Sequence, residues 1–371
     1  MTDAQRRIRA ARESQPVKGM LRRIGAEVDS RGAWRGMLAF APVAAVAGRF
    51  ATDGLGAVIM CIGLFVSLER CSLAPSGVLL LGAVMFGTSM AACAAVASPV
   101  QFIACTTCLA AATTLLSARF AAIRTVCTLI FVVSVYLPLE LSAQTSPAAA
   151  LGAYMLISGL LGFAIAVPLA LSIVDHSRRE RVTSLVKHWA RLRHTDDRLA
   201  PQSDVVLWVF AIIVGIGVAT AVVETMHVRH GEWMIWSAAS VFTGDFLSAG
   251  RKIRDRTTGA LLGVPAGMLM SHYVVSSTWL SVCLSLGAAL TIVSFRRYVV
   301  GFGLRCALIT LDLSVTTHSL PSGLERGINV VSGCLLGGLS LFGAKLCARM
   351  FTSMRQYMNR DATESDGGKG S

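Results

Sequence analysis

Residues 205–223 read VVLWVFAIIVGIGVATAVV, a continuous apolar run without a charged side chain. A helix of about 20 apolar residues is long enough to cross the hydrocarbon core of a bilayer. Inside that core the backbone has to satisfy its own hydrogen bonds, which restricts spanning segments to helices and closed barrels. Because the run is continuous rather than alternating, it predicts a transmembrane helix.

Similar runs recur along most of the 371-residue chain, in which hydrophobic residues make up 54% and charged residues only 15%. A soluble domain needs far more polar surface than this. We predict spans at residues 37–52, 54–68, 76–97, 99–118, 121–139 and 148–174, and again at residues 205–223, 233–248, 257–275, 277–294, 298–317 and 327–347. The prediction is an all-α polytopic membrane protein with about twelve transmembrane helices in two six-helix repeats.

The distribution of basic residues predicts the orientation. If both termini are cytoplasmic and all twelve segments cross, only Arg49, Arg229 and Arg326 of the 34 lysines and arginines fall in outside loops, while Arg305 lies within a span. Since cytoplasmic loops collect Lys and Arg, this asymmetry favours an N-in, C-in topology. The same rule accounts for the net charge of +13 without nucleic-acid binding.

Five regions follow from these assignments. They are a basic cytoplasmic N-terminus at 1–35, a first membrane unit at 36–174, a cytoplasmic amphipathic linker at 175–204, a second membrane unit at 205–347, and a cytoplasmic tail at 348–371 that we expect to be disordered. In the linker, Val182, Leu185, Trp189 and Leu192 follow helical spacing among basic residues. Such a helix lies on the anionic inner leaflet or contacts a partner chain.

Three stretches of the second unit carry a family resemblance. Residues 232–241 read EWMIWSAASV, residues 251–263 read RKIRDRTTGALLG, and ERGINVVSG follows at 325–333. An aromatic-led helix, a basic turn and Arg-Thr-Thr-Gly-x-x-x-Gly opening a new helix resemble the fusaric acid resistance protein-like family. That family includes aromatic acid exporters, and the plant aluminium-activated malate channels look like distant relatives. The resemblance covers residues 205–345, in a short form without large cytoplasmic domains.

The resemblance implies an efflux transporter for small organic acids, above all aromatic carboxylic acids, in the bacterial inner membrane. Coupling to the proton gradient is part of this expectation. Two alternatives stay open, a passive organic-anion channel and a non-transporting scaffold or assembly subunit. The expected partners are small organic anions, protons and membrane lipid, with a homo-oligomer or an envelope efflux partner as further options and no nucleic acid.

Candidate site residues lie at both ends of the basic turn. Gly259, Gly263 and Gly267 share one helix face, which lets helices approach closely. Arg254 and Arg256 precede that face near the predicted helix N-terminus, where they anchor the topology or contact an anion. Asp245 is placed to pair with a neighbouring arginine or to form part of a gate.

Two further charges lie within the span 298–317. Arg305 and Asp312 are seven residues apart, so they face the same side of the helix at a separation of about 10 Å. Ionisable residues in a membrane are costly and face a cavity or a partner. We interpret Arg305 as attracting an organic anion and Asp312 as exchanging a proton. The alternative is a structural contact between helices.

No enzyme motif is present in the sequence. There is no P-loop, no Gly-x-Ser-x-Gly and no His-Glu-x-x-His, so we expect neither catalysis nor a cofactor. Glu224, His227, His230 and Glu232 share an outside loop with a spacing too loose for a zinc site, so we assign no metal ligands.

Overall fold

The computed structural model describes residues 27–49, 54–120, 123–178, 202–242, 246–275, 277–316 and 320–367. The first unit contains α1 Ser30–Arg49, α2 Gly54–Cys71, α3 Pro75–Ala95, α4 Pro99–Arg119, α5 Arg124–Gln144, α6 Ala150–Leu156 and α7 Ser158–Arg178. The second contains α8 Gln202–Thr225, α9 Glu232–Val241, α10 Phe246–Ser271, α11 Thr278–Ser294, α12 Tyr298–Thr316 and α13 Leu320–Gly367. Within the described ranges, β-type pairing is limited to a bridge between Val28 and Phe295.

Helices long and apolar enough to cross a membrane number seven among the described residues. They contain the segments Pro75–Ala95, Pro99–Arg119, Arg124–Gln144, Ser158–Asp175, Val205–Thr225, Tyr298–Thr316 and Ser322–Met350. Helix α11 is apolar but shorter. The structure thereby confirms an all-α, multi-pass membrane protein, whereas twelve crossings remain a prediction.

Several predicted boundaries are wrong. Helix α9 has ten residues, about 15 Å of rise against a hydrocarbon core of about 30 Å, so it does not cross in the way the predicted span 233–248 would. Helix α10 begins at Phe246, and the basic residues 251–256 lie inside it rather than in a turn. Arg and Lys are good helix formers, and no Gly or Pro interrupts that stretch. The predicted N-terminal anion site at Arg254 and Arg256 therefore has no helix N-terminus beside it.

Two other predicted segments differ in the structure. The span 148–174 is divided at Ile157 into α6 and α7. The tail expected to be disordered is helical through Gly367. The linker helix and Asp245 lie outside the described residues.

The two membrane units pack against each other through their own helices. Helix α4 packs on α8, α1 packs on α11, and α5 contacts α9. Within the second unit the closest pair is α10 with α12, and α13 covers α8, α9 and α10. A small apolar cluster, made of Tyr136 from α5 and Trp233, Phe302, Cys306 and Val330 from the second unit, joins the units at the centre.

An ion cluster ties three helices of the first unit together. Arg35 of α1 donates from Nε to Oε1 of Glu69 at 2.7 Å and from Nη1 to Oδ1 of Asp175 at 3.1 Å. Its side chain is 20% exposed, so the two carboxylates share one largely shielded cation. The cluster therefore links α1, α2 and α7 of the first unit.

Replacing Arg35 with methionine is expected to lower the stability of the protein by about 1–2 kcal/mol, since Glu69 and Asp175 would then repel each other without their shared cation. The measurement is thermal unfolding in detergent. Arg31→Met provides the control, because Arg31 lies on the same helix and is exposed. Equal melting temperatures for the two variants would contradict the assigned role.

Candidate functional site

Both charges predicted on α12 contact α11. Arg305 donates from Nε to Oγ1 of Thr291 at 3.0 Å, and Ser285 donates to Oδ2 of Asp312 at 3.2 Å. Arg305 and Asp312 form no ion pair with each other among the contacts described for this region. Ser281 of α11 also faces this carboxylate, whose Oδ1 atom is buried. Asp312 therefore lies against two serine hydroxyls within the helix bundle.

Arg256 of α10 is buried, with 3% of its surface exposed. Its guanidinium carbon lies 4.7 Å from the ring centroid of Phe302 and 5.8 Å from that of Trp236. The guanidinium carbon of Arg305 lies 6.0 Å from the same Phe302 ring. The Nε atom of Arg256 has no hydrogen-bond partner in the described part of the chain. One aromatic ring thus contacts two arginines from neighbouring helices.

Arg326 is predicted from the sequence to lie in a loop, whereas the structure places it in a helix. It was assigned to an outside loop, but α13 begins at Leu320, so Arg326 lies in its second turn and is fully buried. Its guanidinium carbon lies 3.9 Å from the Trp233 ring centroid, and Nη1 donates to the Cys306 carbonyl at 3.3 Å. Nε and Nη2 have no partner in the residues described. Arg326 and Val330 are four residues apart, and this helical spacing is the sequence feature that could have placed Arg326 in the helix.

Aromatic rings surround these arginines. Trp233 and Trp236 stack with centroids 5.1 Å apart, and Tyr136 meets Trp233 edge-on at 6.4 Å. We call Arg256, Arg305, Arg326, Trp233, Trp236 and Phe302 the arginine–aromatic cluster. All six belong to the second unit, and Tyr136 of the first unit closes one side. The cluster therefore lies where the two units meet.

The cluster holds three cations without a salt bridge among the described residues, and Glu232 at the start of α9 acts electrostatically on Arg326. Arg256, Arg305 and Arg326 lie close enough to repel one another, and none forms an ion pair among the described residues. Burying a charged group costs several kcal/mol, whereas a desolvated cation–π contact returns about 2 kcal/mol. The aromatic faces alone do not offset that cost. A bound anion would supply the missing partner, and the rings would contact an aromatic group attached to it.

The remaining predicted residues lie around this cluster. Arg254 is exposed and contacts the neighbouring Asp255 at 3.4 Å, so it points away from Arg256. Gly259, Gly263 and Gly267 lie against α12, where a Cβ on Gly259 would come within 2.8 Å of Phe302. These contacts hold α10 and α12 close together and thereby fix the distance between Arg256 and Arg305.

Comparison with known proteins gives one match. Residues 218–339 match the model of the fusaric acid resistance protein-like family. No curated protein and no solved structure matches the chain. The matched range contains all six members of the arginine–aromatic cluster. The match supports the resemblance of the second membrane unit to the fusaric acid resistance protein-like family.

Proposed function

We propose that this chain is an efflux transporter of small aromatic carboxylic acids in the bacterial inner membrane. Arg326 carries the proposal, because it is fully buried, lies over the Trp233 ring and keeps Nε and Nη2 without partners among the described residues. A carboxylate accepts two parallel hydrogen bonds from one guanidinium. The Trp and Phe rings beside it provide flat apolar surface for the aromatic ring of such an acid.

Arg256 and Arg305 extend the positive surface beyond Arg326. Arg256 also keeps an unpartnered Nε beside Phe302. Arg254 is exposed on the same helix, where it is placed to attract anions before they enter. In this proposal Asp245 belongs to the same entrance.

The helix pairings support two parallel repeats, and the distribution of basic residues favours an N-in, C-in orientation. The fourth helix of the first unit packs on the first helix of the second, and the reverse pair, α1 with α11, is also in contact. Such reciprocal contacts are what two parallel repeats related by an axis along the membrane normal produce. The basic N-terminus and linker then face the cytoplasm.

The first test uses cells. Deleting the gene should raise the accumulation of weak aromatic acids and lower the tolerance to them, and overexpression should reverse both effects. Unchanged accumulation and tolerance across a panel of aromatic and aliphatic carboxylic acids, in both strains, would refute the proposal.

We also propose that transport is coupled to protons, and that Asp312 is the group that binds and releases them. Its buried carboxylate lies in the bundle, on the helix that also carries Arg305. We expect Asp312→Asn to lose the stimulation of transport by a pH gradient, because the amide cannot bind or release a proton. The measurement is benzoate transport in proteoliposomes with and without the gradient, at matched protein content.

Two results would contradict the role of Asp312. One is a variant that responds to the gradient as the parent protein does. The other is a parent protein that carries large anion currents with no response to the gradient, which would favour the passive channel. The parent protein measured without a gradient is the control for leak.

A further inference from the structure

An acidic group at the turn between α8 and α9 acts electrostatically on Arg326. Glu232 opens α9 with 6% of its surface exposed, and its Oε1 lies 3.7 Å from Nδ1 of His230. The next residue, Trp233, carries the ring that faces the Arg326 guanidinium. Glu140 of α5 lies near Glu232 and is hydrogen-bonded to Tyr136. We call His230, Glu232 and Glu140 the turn triad.

Helix α13 connects the turn triad to the arginine–aromatic cluster. Asn329, three residues after Arg326, donates from Nδ2 to the Arg229 carbonyl at 2.8 Å and to the His230 carbonyl at 3.0 Å. One face of α13 therefore holds both the buried cation and the backbone that carries the histidine. A change of charge at the turn acts on Arg326 across a fixed geometry.

The remaining charged and titratable groups around the triad are on the elements that pack against α9. They are Glu325 on α13, Tyr136 on α5, Glu224 on α8, Arg229 and His227 in the turn, and Arg256 on α10. Glu232 acts electrostatically on Arg326 with the sign opposite to that of Arg256. Ionised Glu232 therefore weakens the attraction of Arg326 for any anion.

We propose that the turn triad is a proton switch that sets the affinity of the arginine–aromatic cluster for aromatic carboxylates. This rests on the proposed function, since it regulates the same site. With His230 neutral, the carboxylates of the triad offset the charge of Arg326 and anion binding is weak. With His230 protonated, its positive charge offsets part of the negative charge of these carboxylates. Arg326 then attracts the anion more strongly, and binding is tight.

The direction of the pH dependence follows from His230. Contact with the Glu232 carboxylate raises the pKa of His230, against the opposing effect of burial. An ordinary histidine titrates near pH ~6.5, so a raised pKa places the change in the physiological range. Affinity for the anion should rise as the pH falls through that range, and be lost as the pH rises.

The test is calorimetric titration of the purified full chain in lipid nanodiscs with benzoate, which stays ionised because its pKa lies well below the range used. Between about pH 8 and about pH 6 the parent protein should bind about tenfold more tightly, the effect of a unit charge at roughly 10 Å and an effective dielectric near 20. Glu232→Gln should bind tightly at both pH values. His230→Asn should bind weakly at both, and Asn also tolerates the left-handed backbone at this position.

His227→Asn is the matched control, because His227 lies in the same turn with a similar left-handed backbone but is exposed. It should keep the pH dependence of the parent protein. The inference is overturned if Glu232→Gln and His230→Asn keep that dependence while benzoate binding still requires Arg326. Absence of benzoate binding to the parent protein at every pH would overturn both this inference and the proposed function.

Discussion

Replacing Arg326 with methionine is expected to weaken the binding of aromatic carboxylates at least tenfold while leaving the protein as stable as before, or more so. A hydrogen bond to a charged group contributes about 1.5–3 kcal/mol, and about 1.4 kcal/mol corresponds to a factor of ten in affinity. The gain in stability has a separate cause. Arg326 is fully buried with two unpartnered nitrogens, and an apolar side chain of similar size removes that cost.

The pair of measurements separates a binding role from a structural one. Benzoate affinity by calorimetry and thermal unfolding would be recorded on the same preparation. Arg349→Met is the control, since Arg349 lies on the same helix α13 and is exposed, and it should change neither quantity. If Arg326→Met melts well below the parent protein, Arg326 is a structural residue. If it binds benzoate as the parent does, the cluster is not the anion site.

The second large effect is expected at Gly263, where α10 and α12 approach most closely. A Cβ at this position would overlap the Gly303 carbonyl oxygen and come within 2.8 Å of the Cys306 Cβ. The overlap involves backbone, so side-chain rotation cannot relieve it and the helices have to separate. Gly263→Ala should therefore lower the free energy of unfolding by about 1–3 kcal/mol, the usual cost of overpacking.

Separation of α10 and α12 should also weaken anion binding, because Arg256 and Arg305 lie on those two helices. Gly250→Ala is the matched control on α10, since no heavy atom lies within 4 Å of a Cβ built there. Alanine favours a helix by about 1 kcal/mol over glycine, so this variant should be neutral or stabilised. A melting temperature for Gly263→Ala equal to that of Gly250→Ala would show that the close approach does not matter.

The sequence predicted the helical class because lipid leaves the backbone few options. The run at 205–223 lies within α8, and seven described helices are apolar and long enough to span. The spacing of Arg305 and Asp312 also carries structural information, as both contact α11 from one side of α12. Helical periodicity alone determines such a shared face.

The position of Arg326 could not be predicted in the same way. Polar residues and Gly323 precede it, and these suggest a loop, yet the helix begins at Leu320, and Gly323 packs against Thr310 of α12. The partners that allow its burial, Trp233 and the Cys306 carbonyl, come from α9 and α12. Contacts between distant segments decide the start of this helix, and a pattern along one segment does not contain them.

The same reason explains the basic stretch at 251–256. Positive charge suggested a solvated turn, but Arg256 is covered by Phe302 and Trp236 while Arg254 stays exposed. The two arginines are two residues apart on a helix and therefore face different sides. Arg256 therefore belongs to the arginine–aromatic cluster, whereas Arg254 lies on the surface.

The most direct test of the account is uptake of labelled benzoate into inside-out membrane vesicles, with neutral benzamide as the matched compound. Both compounds have the same aromatic ring, and only benzoate presents a carboxylate to Arg326. Vesicles with the parent protein should take up benzoate rapidly, and vesicles with Arg326→Met should lose that uptake. Benzamide uptake should be no faster than in vesicles without the protein. Equal rates for benzoate with and without the protein would contradict the account.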